Sequence, residues 1–347
     1  MRHVRVWASL AVATCLGASV ACVGDEPSIA SDAGRDTGGG SDSGAEGAPE
    51  DAGADAPNDT SADSNVADSA LPPACDPQKA FGTPTLVPGI NSAADETNAF
   101  IAPDGLSLYL VRGDVDAGQP SRDIYRATRV KVGDAWGALG LMTGTNINTA
   151  YEEDNATSTA DGLTMYFHSA RPGGLGSHDI YIATRPTTLV DFTFAGPANG
   201  LNLDSDDGDP YIMPDGKTLF FDSNRAGGQG GSDLYEVAIT NGTFGTPQLL
   251  GLPNSPGVES QPVPSADGLA LYFGTDRSGG QGSYDIWGSH RTTTADAFGA
   301  PTIVATVNSA ELDFPTWVSA DQCVLFLTSS RAGSLGGRDI WQAERPK

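Results

Sequence analysis

Five carboxylates stand at one repeated place in this chain: Glu96, Glu153, Asp207, Glu259 and Asp313, each eight residues before the Asp of an Asp-Gly or Asp-Gln pair. Brought together at the mouth of a channel, they would focus negative potential and take a cation or a cationic ligand. Two or three of them, used unequally, could serve as acid and base on a glycosidic bond. Their sameness points the other way. A catalytic group is needed once, whereas a group that joins one repeated unit to the next is needed in every unit. A structural ring is therefore expected, with a ligand-facing ring as the alternative. Arg112, Arg171, Arg225, Arg277 and Arg331 recur in the same units, as do Asp123, Asp179, Asp233, Asp285 and Asp339. In four units the Arg lies eight residues before that Asp, so the two are expected to form structural ion pairs across a hairpin, the planar guanidinium fork suiting a carboxylate.

Other chemistry finds little support. His168, His178 and His290 are the histidines beyond the leader, and no Gly-x-Ser-x-Gly elbow occurs. Ser177-His178-Asp179 is a run of sequence neighbours, which is not how a triad is assembled. No Cys/His cluster has zinc-ligand spacing. Asp204-Ser205-Asp206-Asp207-Gly208-Asp209 is dense enough in oxygen to hold calcium but lacks an EF-hand loop, so a solvated acidic loop is expected. The Gly-rich loops at Gly227-Gly228-Gln229-Gly230 and Gly279-Gly280-Gln281-Gly282 read as tight turns. No catalytic residue, metal or cofactor is expected.

The elements that carry these residues repeat with periods of 56, 54, 52 and 54 residues, counted between the Asp residues that open each closing triplet. After each Asp-Gly comes a run apolar on both faces, such as Leu219-Phe220-Phe221 or Leu271-Tyr272-Phe273. Such a strand is sandwiched between two layers. A short strand precedes it, a third opens at the Asp of the triplet, and a fourth follows an aromatic start at Trp136, Phe194, Phe244 or Phe298. Four antiparallel strands at this period make a propeller blade. Phe81-Gly82-Thr83-Pro84 is a fourth-strand opening with no blade before it, while the chain stops at Lys347 after a third strand. The expected fold is all-β, a five-bladed propeller over residues 80–347 whose N-terminal strand completes the last blade and leaves no open edge.

Units such as Pro214-Asp215-Gly216-Lys217-Thr218-Leu219-Phe220-Phe221-Asp222-Ser223-Asn224-Arg225, followed by Gly227-Gly228 and Asp233-Leu234-Tyr235, resemble the WD-like propeller repeat of the TolB type. TolB itself has six blades and an extra N-terminal domain, and here blade five carries Gln322 in place of the Gly. The resemblance implies an envelope-associated binding scaffold, without implying TolB's own partner.

The start of the chain reads as an export signal over residues 1–21: Arg2 and Arg5, then an uncharged apolar stretch to Ala21 that is too short to span a bilayer. Ser19-Val20-Ala21-Cys22 resembles a bacterial lipoprotein signal, so Cys22 is expected to carry lipid and the protein to reside on the outer membrane, with plain secretion as the alternative. Residues 22–79 hold thirteen acidic residues against Arg35 and Lys79 and almost no large apolar side chain, the composition of a disordered tether. The net charge of −25 repels phosphate backbones and anionic headgroups. Nucleic acid is therefore excluded, and membrane contact is expected only through the lipid. Cys75 lies just before the closing strand and Cys323 opens the second strand of the last blade, at the same end, so a disulfide between them is expected. The chain reads as a monomeric, non-catalytic scaffold for an envelope protein or a glycan, the alternative being a five-bladed glycoside hydrolase.

Overall fold

The computed structural model describes residues 75–113 and 122–347. Cys22, the leader and the tether up to residue 74 lie outside the described residues. Those described are all β and form five antiparallel sheets, each led by an inner strand: Asp95–Ile101, Glu153–Ser158, Asp207–Ile212, Glu259–Pro264 and Asp313–Val318. Second strands follow at Ser107–Gly113, Thr164–Ser169, Thr218–Ser223, Ala270–Thr275 and Val324–Ser329, and third strands at Arg122–Thr128, Asp179–Thr184, Asp233–Thr240, Asp285–His290 and Asp339–Glu344. Outer strands are short, and that of blade three comes in two pieces, Thr243–Phe244 and Gln248–Leu249. Blade five takes its outer strand from the start of the domain: Thr85 and Leu86 pair with Gln342 and Trp341. The ring closes as the sequence predicts.

The doubly apolar second strands lie between blades. Leu108, Leu110, Phe167, Leu219, Phe221, Phe273, Leu325 and Leu327 are buried, and the core runs continuously from blade to blade. The Cys75–Cys323 disulfide is present with a Cα separation of 5.6 Å, and Asp76 N donates to Pro346 O at 3.1 Å. Residues 75–79, which the composition assigns to the tether, are thus joined to the last blade by the cross-link and this bond.

The Arg to Asp pairing expected from the spacing does not form. Each Arg turns instead to the inner-strand carboxylate of its own blade: Arg112 to Glu96 at 2.7 Å, Arg171 to Glu153 at 3.1 Å, Arg225 to Asp207 at 2.6 Å, Arg277 to Glu259 at 2.9 Å and Arg331 to Asp313 at 2.5 Å. In blades two to five the Asp that opens the third strand caps the Gly-rich loop before it. Asp233 Oδ2 accepts from Gln229 N and Gly230 N, and Asp179, Asp285 and Asp339 do the same in their blades. The loop's backbone donors are nearer to that carboxylate than the guanidinium, which lies over the third-strand aromatic, as Arg225 does over Tyr235 at 5.2 Å.

A second arginine position closes the opposite face. Arg129, Arg185, Arg291 and Arg345 stack on Trp136, Phe192, Phe298 and Phe81 at 3.9 to 4.3 Å, and their Nε atoms donate to the carbonyl at the Asp-Gly turn. In blade two the aromatic is Phe192, not the Phe194 that the sequence pattern suggests. Blade three has Ile239 in place of the arginine, packed with Phe244 and Tyr166.

Candidate functional site

The five inner-strand carboxylates are fully buried and their oxygens are spoken for. Glu259 accepts from Ser255 N at 2.8 Å, Ser255 Oγ at 2.5 Å, Thr275 Oγ1 at 2.8 Å and Arg277. Glu153 repeats the set with Thr149, Ser169 and Arg171, while Glu96, Asp207 and Asp313 hold closely similar ones. Their bonds stay within the blade: each ties the loop entering its blade to the second strand or to the arginine just past it. The Asn of each repeat has a parallel duty. Asn254 accepts from Leu234 N and donates to Leu234 O and Leu250 O, pinning the entry of blade four to blade three, and Asn91, Asn148, Asn202 and Asn308 do likewise around the ring.

With the repeated residues consumed internally, the candidate site is made of those that differ between blades. Every inner strand carries a register shift just past its carboxylate. Four of the bulges place a non-glycine residue at positive φ: Asn98 (53°), Asn155 (46°), Asp209 (46°) and Gln261 (51°). Such backbone costs on the order of 1 kcal/mol or more per residue, and bulges re-aim side chains. In blade five Pro315 takes this place, its ring forbids positive φ, and the shift falls on Thr316 instead.

At the Gly-rich-loop end Asn98, Asp209 and Gln261 line a polar cavity of about 250 Å³ with Asp154, His168, Arg122, Arg338 and Phe314. Asp154 is held by Arg122 at 2.7 Å, Asn98 Nδ2 at 2.6 Å and Asn155 N at 2.8 Å. Burial alone would raise its carboxyl, but Arg122, His168 and these donors hold it below the usual range. His168 Nδ1 accepts from Asp209 N at 3.0 Å; burial pushes this imidazole down, against the pull of Asp209 and Asp154. Behind Asp209, Asp222 accepts from Ser232 Oγ at 2.7 Å. Burial first, then the Asp209 charge, raise Asp222 well above the usual carboxylate range. Asp209 is thus an inner-strand residue of the channel, not part of a solvated acidic loop.

At the other end Phe100 meets Tyr211 edge to face at 5.6 Å, and an apolar mouth of about 400 Å³ opens between Trp317, Pro103, Pro214 and Pro264. Among the described residues no group of three His, Cys, Asp or Glu is placed to hold a metal ion, and no helix is long and apolar enough to cross a membrane.

The sequence reading missed Asp154, Asp222, Asn98 and Gln261, and set Asp209 in a solvated loop. The signal lay in the repeat itself. Where the second strand faces the channel, the five blades read Val111, His168, Asp222, Gly274 and Thr328, beside neighbours that hardly change. A position free to vary between blades of one ring is free of scaffold duty.

Comparison with known proteins gives fold without family. No family model matches the chain, and no curated protein does. Among solved structures it is similar to a family 117 glycoside hydrolase from the marine bacterium Zobellia galactanivorans, with TM-score 0.50, 12% identity, and coverage of 77% of this chain and 90% of that one. It is similar to the exo-β-1,3-galactanase of Phanerochaete chrysosporium, solved with galactose, at TM-score 0.50 and 13% identity over 75% of this chain and 64% of that one. TolB from Acinetobacter baumannii aligns at TM-score 0.44 and 18% identity over 72% of this chain; the chain spans about half of that protein's length, 54%. At 12% and 13% identity, the likeness to the first two structures shows the fold alone.

Proposed function

We propose that this protein is a non-catalytic binding scaffold, tethered in the bacterial envelope through Cys22, that meets an envelope protein at the polar mouth of its channel. The observation that carries the reading is the division of labour just described: the residues shared by all five blades are used up in internal bonds, and the unshared ones gather at that mouth. A repeat spent on architecture leaves one asymmetric place for recognition.

A second reading, a glycoside hydrolase, is favoured by the raised Asp222 carboxyl, since an acid held protonated is half of what such chemistry needs. The geometry weighs against it. Asp222 stands behind Asp209 and does not line the cavity, whereas the two carboxyls that flank a glycosidic bond must both face the substrate. Asp154, the other carboxylate at the cavity, is committed to three donors and makes a weak base.

The test is affinity capture from envelope extract with the wild-type domain, with His168→Arg, which puts a cationic arm into the mouth, and with Lys217→Glu on the opposite face. A protein retained by wild type and Lys217→Glu but lost from His168→Arg supports the reading. Capture that ignores His168→Arg, or turnover of aryl glycosides abolished by Asp222→Asn, would overturn it.

A further inference from the structure

We propose that the polar mouth is a receptor for one primary ammonium group, a lysine side chain offered by a protein partner. This rests on the reading that a partner is met there, and adds which group of the partner enters.

Two buried oxygens at the cavity have no hydrogen-bond partner: Asn98 Oδ1 from blade one and Gln261 Oε1 from blade four. Asn98 is only 3% exposed, and its amide cannot be turned round, because Nδ2 donates to Asp154 Oδ1 at 2.6 Å and an ionised carboxylate only accepts. Leaving such acceptors unmatched is costly. Asp209 from blade three supplies a third acceptor, a charged one. The cavity therefore wants donors, and an ammonium carries three donors and no acceptor. A guanidinium would bring five in a planar fork, more than these three oxygens answer. A hydroxylated ligand would also draw on charged donors from the protein, and both arginines at the cavity are engaged: Arg122 by Asp154, and Arg338 by Asp95 at 2.8 Å.

Charge and size agree. The two ion pairs cancel and burial favours neutral His168, so the Asp209 and Asp222 pair leaves the cavity net negative. His178, with Glu152 and Asp206 about it, stands next to His168. At about 250 Å³ the cavity is below the roughly 300 to 1,000 Å³ of pockets that enclose whole small ligands, and suits a single side-chain arm. Phe314 lines one wall, backed by Tyr284 at 4.9 Å, and offers apolar surface to a methylene stem. Gly274 makes room for that ring: a Cβ there would lie 2.2 Å from Phe314. An entering cation favours the ionised form of Asp222, so binding releases a proton and strengthens as pH rises, until the ammonium itself deprotonates.

The experiment follows the side-chain amide resonances of Asn98 and Gln261 in the ¹⁵N-labelled domain during titration with Nα-acetyl-lysine methylamide, its Nε-acetylated counterpart, and calcium chloride. The expected result is a saturable shift with the charged amine alone, at a Kd on the order of 1 mM, at least about tenfold weaker in Asp209→Asn. Asp222→Asn, a neutral mimic of the protonated acid, should bind with its pH dependence flattened. No shift with the charged amine, an equal shift with the acetylated probe, or a response to calcium in its place would overturn the proposal. If capture of a partner still depends on His168 while the lysine probe fails, the ammonium is wrong and the scaffold reading stands.

Discussion

Arg277 Nη2 lies 2.9 Å from Glu259 Oε1, eighteen residues back in the chain, and the pair is nearly sealed from water, the side chains being 13% and 0% exposed. The same bond recurs in all five blades, which makes the carboxylate the hub of each blade's entry.

Removing one partner of a buried, hydrogen-bonded pair strands the other. Glu259→Gln should therefore cost about 3 kcal/mol, read as a lower urea midpoint with unchanged slope. Partner capture by the folded variant should be unaltered. A variant of full stability that loses binding would show that the ring serves a ligand after all.

The cross-link between Cys75 and Cys323 closes a separation of 248 residues. For a loop of that length the chain-entropy account gives up to about 5 kcal/mol. Dithiothreitol, or Cys323→Ser, should lower the unfolding temperature, and reductant should have no further effect on the variant. Free-thiol titration of the oxidised domain should find neither cysteine.

Asp222 has a folded-state pKa above its unfolded one, so its protonated form stabilises the fold at low pH and that contribution is lost as pH rises from about 4 through the folded value. Asp222→Asn keeps the neutral form at every pH. The variant should match wild type near pH 4 and become progressively more stable than wild type toward neutrality, in paired denaturation curves across that range.

His168 works in the other direction. Its folded pKa is depressed, so its contribution is present above about pH 6.5 and is lost as pH falls below that value toward the folded one. His168→Gln should lose this acid-side fall in stability, and NMR titration of the imidazole should give a midpoint below the ordinary histidine range.

Gln261 holds φ at 51°, a region that favours glycine. Gln261→Gly should relieve strain and raise stability by about 1 kcal/mol, while removing an acceptor from the mouth. A domain that becomes more stable and a poorer binder would identify strain retained for recognition.

Most of the fold was legible because it is written five times. The doubly apolar second strands, the Asp-Gly turns and the stray opening at Phe81 each required a blade or its completion, and Cys75 could be matched to Cys323 from strand direction alone. Pairing was less legible. The eight-residue spacing of Arg225 and Asp233 suggested a bond across the hairpin, yet backbone donors of the intervening loop claim Asp233 and the guanidinium reaches back to Asp207. Sequence distance carries no information about which acceptor is already taken. The candidate site was hidden for a related reason. Bulges at Asn98, Asp209 and Gln261 set which side chains reach the cavity, and a bulge of this kind leaves no mark in composition or period.

Cys75 is bonded to Cys323 beside the Asp321-Gln322 turn of blade five, while His168, Asp209 and Arg338 stand at the far end of the channel. A pull applied at Cys75 would act on the face turned away from the polar mouth, and the load would enter through a covalent bond to the last blade. On the proposed reading, a partner approaching along the channel axis would not cross Cys75, and tension applied there would bear on the Cys75–Cys323 link instead of peeling the closing strand from its sheet.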